Sequence, residues 1–454
     1  MRDAILRGGS LVTPQGVVES DLAVEDGRIA EVAPEIEGPA REEIDASGLH
    51  VFPGGIDAHA HFNEPGRTNW EGFESGSRAL AAGGLTACLE MPLNAYPPTC
   101  DAESFDRKRE LAESSSLVDF GLYGGLVPGN LKDLEPLAER GVAGFKAFMS
   151  TTGTLDYTVA DDLTLYEGMA EAARLGLPVL VHAENKTITD GLAGRAVSTL
   201  RLSARDYLES RPVVAELEAI NRAILLAEET GCSLHIVHVS TGRGVALVAE
   251  ARARGVDVTC ETCAHYLVFT DEDVERLGAV AKCAPPIRSA GERDALIENL
   301  LAGDIPFVTS DHSPCPPWMK AGDDFFRAWG GISGCQSLLN VVLDLGLERD
   351  LPLERISALV SGNVAERFGL AGKGRIEVGA DADLALVNLD RSFTLRESDL
   401  FYKHRVSPYV GMRFRGEVAA TVVRGRTVFR EGKVVSEPVG RFVRPEVAGK
   451  EKRT

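Results

Sequence analysis

Two histidines separated by one residue, His59 and His61, lie directly after the apolar run of residues 51–56. Successive side chains of an extended strand point to opposite faces, so these two imidazoles point the same way, about 7 Å apart. Neutral imidazole nitrogens are common ligands of transition metals. The pair therefore predicts one part of a metal site that other segments must complete.

Further residues that could join such a site lie at the ends of other short apolar runs. In the runs 144–148, 179–182 and 234–239 and after the run 305–309, these residues are Lys146, His182, His238 and Asp311. Four imidazoles and one carboxylate are donors that suit borderline divalent metals such as zinc. Buried polar groups without partners cost free energy, so packing alone would rarely place five of them so regularly.

Lys146 needs its own explanation, because an ammonium ion with a reference pKa of about 10.4 has no lone pair to offer a metal. Its neighbours in the run are small and aromatic. In that setting CO2 can convert the amine to a carbamate, which is an anionic ligand with two oxygens. A bridging carbamate would hold two metals, with His59 and His61 on one and His182 and His238 on the other.

A hydroxide held between the two metals would be a nucleophile at neutral pH, because metal binding lowers the pKa of water to about 7. Asp311 is predicted to take its proton and pass it to the leaving nitrogen. Three other histidines have lesser roles: His235 packs on the opposite side of its strand from the site, His265 either lines the pocket or packs, and His312 supports a neighbour. A metal hydroxide makes Cys315 unnecessary as a nucleophile.

The elements that position these residues alternate between apolar runs and helical patterns. The helical patterns cover residues 70–82, 101–114, 161–174, 212–230, 244–254 and 291–302. The apolar runs cover residues 51–56, 85–90, 118–123, 144–148, 179–182, 234–239, 256–260 and 305–309. Eight strands that alternate with helices predict an α/β fold, a (β/α)8 TIM barrel over residues 54–373, with its chemistry at the C-terminal strand ends. A doubly wound open sheet is the alternative.

The two ends of the chain differ from this centre, because they read as short strands separated by glycine or charged turns. These strands cover residues 3–8, 16–24, 28–32, 383–387, 419–423 and 427–429. Neither end has enough strands to close a sandwich alone. We therefore expect one small β-sandwich domain from residues 1–53 and 374–440, followed by a charged tail of residues 441–454.

Charge and composition restrict the partners. The chain of 454 residues has a net charge of −20, which argues against nucleic acid and against anionic membranes. No apolar run approaches the ~18 residues that span a bilayer, and residues 1–7 lack an apolar signal core, so we expect a cytoplasmic protein. The C-x-x-C motif of residues 260–263 has no second pair, which favours structural burial over a zinc knuckle.

Several segments resemble the amidohydrolase superfamily, in particular its cyclic-amidohydrolase branch of dihydroorotases, hydantoinases and allantoinases. Residues 374–383, Gly-Arg-Ile-Glu-Val-Gly-Ala-Asp-Ala-Asp, are similar to the family's return into its β domain. The segments most similar to allantoinases are His-Phe-Asn-Glu-Pro-Gly-Arg (61–67), Glu-Met-Pro-Leu-Asn (90–94), Cys-Ala-Pro-Pro-Ile-Arg (283–288), Ser-Asp-His-Ser-Pro-Cys (310–315) and Trp-Gly-Gly-Ile-Ser-Gly (329–334). The resemblance covers nearly the whole chain.

The resemblance implies a barrel with two divalent metal ions per subunit, zinc first, with cobalt, manganese or nickel as alternatives. It implies that Lys146 is carbamylated to N6-carboxylysine by CO2. The remaining ligands would be His59, His61, His182, His238 and Asp311. It further implies a homotetramer that hydrolyses a small molecule, the ring amide of allantoin, to give allantoate.

Two residues bear on the substrate. Dihydroorotases carry arginine where Asn63 stands, to hold a substrate carboxylate, so Asn63 favours a neutral ring. An asparagine supplies both donors and acceptors, and we expect Asn63 and Asn94 to contact the substrate. Hydantoin or dihydropyrimidine hydrolysis is the alternative, followed by dihydroorotate hydrolysis and by a non-catalytic scaffold. Residues 316–329 are expected to cover the pocket.

Overall fold

The structure is a computed structural model that describes residues 2–446. Its strands are β1 Arg2–Thr13, β2 Gly16–Glu25, β3 Arg28–Ala33, β4 Ala40–Asp45, β5 His50–Pro53, β6 Gly55–Ala60, β7 Leu85–Glu90, β8 Asp119–Leu122, β9 Gly124–Gly125, β10 Phe145–Phe148, β11 Val179–His182, β12 Leu234–Ile236, β13 Val258–Cys263, β14 Phe307–Thr309, β15 Leu384–Thr394, β16 Arg413–Val423, β17 Arg426–Arg430 and β18 Lys433–Val434.

Helices separate most strands of the central part. They are α1 Phe73–Ala82, α2 Ala102–Ser115, α3 Leu134–Arg140, α4 Asp162–Leu175, α5 Lys186–Ser198, α6 Ala204–Ser210, α7 Val213–Thr230, α8 Gly242–Ala253, α9 Ala264–Val268, α10 Asp271–Leu277, α11 Ala290–Ala302, α12 Leu338–Glu348, α13 Leu353–Val360 and α14 Gly362–Arg367. No helix within residues 2–446 is long and apolar enough to cross a membrane.

Strands from both ends of the chain form one sheet of nine strands, in the order β18-β17-β16-β15-β5-β1-β2-β3, with β4 paired to β1. The two ends meet where β5 pairs antiparallel with β15, so that Val51 faces Leu386. Along β16, buried and more exposed residues alternate, as expected for a strand with one face on a core. The predicted β domain built from both termini is confirmed as part of the fold.

The central strands run parallel in chain order, as β6-β7-β8 and as β9-β10-β11-β12-β13-β14. β8 lies within the predicted strand of residues 118–123, and the short strand β9 follows it after Tyr123. A bridge between Ala60 and His312 joins the first strand to the segment after the last. The predicted (β/α)8 barrel is confirmed, and the helices lie between the strands as the periodicity indicates.

The first predicted strand differs from the expectation, because the run 51–56 divides between two sheets. β5 joins the sheet of the chain ends, and β6 enters the barrel and extends to Ala60, so His59 lies within the strand rather than after it. Gly54 lies at the division, and a Cβ there would lie 2.1 Å from Oγ1 of Thr86. Only glycine allows the chain to pass so close to the second barrel strand.

A buried ammonium lies where the barrel meets the β domain. Lys373 Nζ lies 2.5 Å from Oδ2 of Asp119 in β8, 2.9 Å from Asp381 and 2.6 Å from Asp383. The three carboxylates hold the pKa of Lys373 well above its usual value despite burial. Their mutual repulsion is offset by this shared cation and, at Asp119, also by the guanidinium of Arg424. Lys373 therefore ties the two parts of the chain together.

The domain boundaries at residues 53–54 and 373–374 remain predictions. Residues 441–446, which were expected to begin a charged tail, lie along the barrel: Phe120 N–H donates to Arg441 O, and Val443 N–H donates to Phe120 O. The rest of the predicted tail, residues 447–454, lies outside the described residues.

Candidate metal centre

Three predicted ligands form a close cluster at the C-terminal end of the barrel. Nε2 of His59 lies 3.3 Å from Oδ1 of Asp311, and Nε2 of His61 lies 3.4 Å from the same oxygen. One donor atom from each residue lies within 4.8 Å of the others, and all three side chains are buried. Two imidazole nitrogens and a carboxylate oxygen at such separations match the donor set of a divalent transition metal.

The other two histidines lie beside this cluster. His182 ends β11, and its Nδ1 lies 3.1 Å from Nε2 of His238, which follows β12. The rings of His238 and His59 are 5.3 Å apart between centroids, so the two histidine pairs share one continuous site. Burial lowers the pKa of His59, His182 and His238, which keeps them neutral and able to donate a lone pair.

Lys146, in β10, is fully buried with no hydrogen-bond partner for Nζ among the described residues. The nitrogen lies 5.1 Å from the centroid of Phe148, whose ring stacks on His182. Burial lowers the pKa of Lys146 to about 7, although the carboxylates of Glu261 and Asp311 oppose this shift. Burying an amine without a hydrogen-bond partner costs free energy. The unpartnered Nζ of Lys146 therefore fits a side chain that binds a group other than the protein's own side chains.

Two buried glutamates orient the histidines, and neither was singled out in the sequence analysis. Nδ1 of His59 lies 2.5 Å from Oε1 of Glu261, and Nε2 of His182 lies 2.7 Å from Oε2 of Glu184. A carboxylate only accepts hydrogen bonds, so each imidazole carries its proton on that side. The remaining lone pairs, on Nε2 of His59 and Nδ1 of His182, face the site, which is where a metal would bind.

The backbone is unusual at four positions around the site. His238 has φ 41°, Asp311 has φ 43°, Asn63 has φ 63° and Asn94 has φ 66°. Non-glycine residues in this left-handed region cost roughly 1–3 kcal/mol each and concentrate at functional sites. The positive φ sets the direction of each of these side chains, which lie at strand ends or in loops. No periodicity in the sequence encodes that direction.

The cavity above these residues is lined by side chains from several loops. Its wall includes Leu93, Asn94, Phe148, Thr151, Thr152, Gly153, Ala284, Ser313, Trp329 and Gly330. Asn94 and Ser313 both line the cavity, and Nδ2 of Asn94 lies 3.3 Å from Oγ of Ser313. Asn63 does not line it; its side chain is fully buried and donates to Pro314 O.

The three histidines with lesser predicted roles, and Cys315, are all buried. Nε2 of His235 lies 3.1 Å from Oε2 of Glu261, so His235 packs beneath the site, and His312 accepts a hydrogen bond from Gly334 N–H. Both ring nitrogens of His265 are buried without a hydrogen-bond partner among the described residues, and burial lowers its pKa to about 4. Burial raises the pKa of Cys315 to about 11, which keeps that thiol protonated and unreactive.

The C-x-x-C motif forms no disulfide, and both of its cysteines are buried and free. The segment expected to cover the pocket does so only at its end, where Trp329 and then Gly330 reach the cavity. Within the segment, Phe325 packs against Tyr207 with ring centroids 5.5 Å apart, and Trp318 is exposed. The aromatic residues that suggested a lid are thus mostly directed away from the pocket.

Comparison with known proteins places this geometry in a family. The profile of the amidohydrolase family matches residues 50–428. The chain belongs to the amidohydrolase family. The expectation of a hydrolase of that family is therefore confirmed, and divalent metal use is supported by both the family and the cluster of His59, His61 and Asp311.

Individual relatives of this amidohydrolase cover nearly its whole length. A protein of Rubrobacter xylanophilus named allantoinase is 68% identical over 445 residues, which are 98% of either chain. An allantoinase of Deinococcus radiodurans is 55% identical over 98% of this chain and 99% of its own. The solved L-hydantoinase (dihydropyrimidinase) from Arthrobacter aurescens superposes with a TM-score of 0.95 at 37% identity, over 98% of this chain and 100% of that one.

Proposed function

We propose that the protein hydrolyses the ring amide of allantoin to give allantoate. The observation that carries the proposal is the convergence of four imidazoles, a buried amine and a carboxylate at the mouth of a barrel. The names of the relatives at 68% and 55% identity support the substrate. The cavity wall supports it too, since Asn94 and Ser313 offer neutral hydrogen-bonding groups to an uncharged ring.

In this proposal the protein holds two divalent metal ions, zinc first. His59, His61 and Asp311 would hold one, and His182 and His238 the other. When bound, the metals polarise the amide carbonyl and lower the pKa of water to about 7. This is the chemistry that the hydrolysis of an unreactive amide requires.

Lys146 would supply a further anionic ligand in the proposed site. Its neutral amine adds to CO2, a C–N bond forms, and one proton is lost to water, leaving a carbamate with two oxygens. The unpartnered, fully buried Nζ supports this assignment. The lowered pKa of Lys146, about 7, also supports it, because the neutral amine that reacts is accessible at physiological pH.

Asp311 moves the proton in the proposed reaction. Burial raises the pKa of Asp311, but His59 and His61 together lower it by more than burial raises it. The pKa therefore lies at about 2, and the carboxylate is ionised. The oxygen of water adds to the carbonyl carbon while Asp311 accepts the proton. The ring C–N bond then breaks, and the same proton passes to the leaving nitrogen. The product is one open-chain molecule: the former carbonyl becomes a carboxylate after the second water proton is lost to solvent, and the former ring nitrogen becomes a ureido NH2 group.

Hydrolysis of hydantoin or dihydropyrimidine rings is the second candidate. The specific observation in its favour is the TM-score of 0.95 to an L-hydantoinase over nearly the whole chain. That likeness concerns the fold and the metal chemistry, which the candidates share. The allantoinase relatives are more similar in sequence, at up to 68% against 37% identity, and this difference places allantoin first.

A side-by-side assay of metal-replete enzyme with allantoin, hydantoin, dihydrouracil and dihydroorotate tests the substrate. We expect the highest kcat/KM with allantoin. Preference for hydantoin or dihydrouracil would assign the second candidate, and preference for dihydroorotate would contradict the neutral-ring argument. No turnover of any ring by protein that retains its metals would instead favour a non-catalytic scaffold.

Lys146→Ala tests the carbamate separately from the substrate. We expect loss of metal from one end of the site or both, with partial return of activity on addition of short carboxylic acids, which can take the place of the carbamate. The intact mass of the native protein should include the added CO2. A filled site with an unmodified lysine would overturn this part of the proposal. The homotetramer and the cytoplasmic location remain predictions from the sequence.

A further inference from the structure

A continuous chain of hydrogen bonds near the proposed metals passes through Glu261, a residue of the C-x-x-C motif. Oε1 lies 2.5 Å from Nδ1 of His59, and Oε2 lies 3.1 Å from Nε2 of His235. Nδ1 of His235 lies 2.7 Å from Oγ1 of Thr259. Glu261 and both histidines are fully buried, with at most 1% of any of these side chains exposed.

The protons along this chain have one arrangement that satisfies every group. The carboxylate can only accept, so both imidazoles donate to it, and Nδ1 of His235 must then accept from the hydroxyl of Thr259. The proton of His59 is therefore fixed on Nδ1. Its Nε2, which lies 3.3 Å from Oδ1 of Asp311, is left with a free lone pair that faces the site.

Glu261 and the glutamate at the other end of the site, Glu184, differ in the groups that offset their negative charges. Glu184 is paired with the guanidinium of Arg211, whose Nε lies 3.0 Å from Oε1. The direct side-chain partners of Glu261 are the two imidazoles. The negative charge of Glu184 is thus offset by a directly paired guanidinium. The negative charge of Glu261 acts instead on its two imidazole partners, on Lys146 and, through His59, on a metal that His59 would hold.

We propose that Glu261 is the positioning residue of the His59–His61 end of the site, fixing His59 as an Nε2 ligand and strengthening its hold on a metal. The inference rests on the proposed metal site but not on the identity of the substrate. A carboxylate behind a ligating imidazole orients the ring and raises its basicity, and removal of such a partner typically costs about 10–100-fold in metal affinity.

Glu261→Gln tests the proposal, because an amide of the same size carries no charge and cannot accept from both imidazoles. Metal-loaded enzyme is dialysed against graded concentrations of a chelator, and the metal retained per chain is counted. We expect the variant to lose one metal equivalent at about 10–100-fold lower chelator concentration than the wild type. With Co2+ as the metal, its visible absorption should change for that equivalent only.

Glu71→Gln is the matched control, since Glu71 is also a fully buried glutamate, and its carboxylate accepts from the backbone N–H of Lys403 rather than from a proposed ligand. It should retain metal like the wild type. Glu261→Asp keeps the charge on a shorter side chain, so it should lie between the wild type and Glu261→Gln. Added metal should restore much of the lost turnover in Glu261→Gln, which a merely misfolded variant would not show.

Equal metal retention in Glu261→Gln and the wild type would overturn the inference while leaving the proposed function intact. Equal losses in Glu261→Gln and Glu71→Gln would also overturn it, because the effect would then be one of general stability. A wild-type protein that holds no metal would overturn both proposals. If Glu261→Gln does not fold, Glu261→Asp carries the test, and unchanged retention there would count against the inference.

Discussion

The indole of Trp329 packs against Gly153 across the mouth of the cavity, so closely that a Cβ at Gly153 would lie 2.8 Å from Cζ3 of Trp329. The two residues belong to loops that follow different barrel strands, and both line the cavity. Trp329 is held in place by a hydrogen bond from Nε1 to Ser313 O and by the ring of Trp70. The position of the indole at the cavity therefore depends on the absence of a side chain at residue 153.

Gly153→Ala should narrow or distort this entrance. The added methyl group meets the indole below van der Waals distance, and overpacking of this kind costs about 1–3 kcal/mol. We expect kcat/KM for the ring substrate to fall by about tenfold, mainly through KM, with metal content unchanged. Gly191→Ala is the control, because Gly191 lies in α5 and a Cβ there meets no atom within 4 Å. An unchanged kcat/KM in Gly153→Ala would show that the contact does not control entry.

A second prediction concerns Lys282, which binds the segment that ends in Trp329. Lys282 is 5% exposed, donates to Phe326 O and Ala328 O, and lies 4.5 Å from the ring centroid of Tyr207. Burial lowers the pKa of Lys282 to about 7, and the cations of Lys320 and Arg211 lower it further while Asp324 opposes them. Its usual value is about 10.4.

Between those two pKa values the unfolded chain holds a proton that the folded chain has released. The free energy of unfolding therefore rises with pH from about 7 to about 10, at no more than about 1.4 kcal/mol per pH unit from this group. Lys282→Met removes this contribution. Denaturant unfolding of both proteins across this range should show the wild type gaining stability relative to the variant. A constant difference between them would contradict the lowered pKa.

Much of the fold could be predicted from the sequence, because the barrel strands correspond to short apolar runs of consecutive residues. The metal-binding candidates were also marked locally, since His59 and His61 follow such a run and Asp311 follows another. Glu261 could not be found in this way. Its partner His59 is 202 residues away in the chain, and a single glutamate within a strand has no spacing that distinguishes it. Only the closure of the barrel brings the two together.

The directions in which the side chains of Asn63 and Asn94 point could not be predicted from the sequence either. The prediction treated Asn63 and Asn94 alike, because an asparagine supplies both donors and acceptors. In the structure each has positive φ, yet one side chain is buried against Pro314 and the other faces the cavity. The difference depends on the paths of two loops, which the residue types do not specify.

The buried cation between barrel and β domain gives a third prediction. Lys373→Met would leave the carboxylates of Asp119, Asp381 and Asp383 together without their shared partner. Removing one member of a buried ion pair typically costs about 3–5 kcal/mol, and we expect a loss of that size in the free energy of unfolding. Arg375→Met is the control, because its pair with Glu377 is exposed and should contribute less than about 1 kcal/mol. Similar small losses in both variants would contradict the assigned role of Lys373.

The last prediction separates the two asparagines. Replacement by glycine removes either side chain while tolerating the positive φ, which alanine would strain. Asn94→Gly removes a polar group from the cavity wall, and the loss of one hydrogen bond to substrate, about 0.5–1.5 kcal/mol, should raise KM by roughly 2–12-fold. Asn63→Gly removes the bond to Pro314 O and should lower stability with little direct effect on KM. Steady-state kinetics and unfolding of both variants distinguish the roles, and a larger rise in KM for Asn63→Gly than for Asn94→Gly would show that Asn63 contacts the substrate as the sequence suggested.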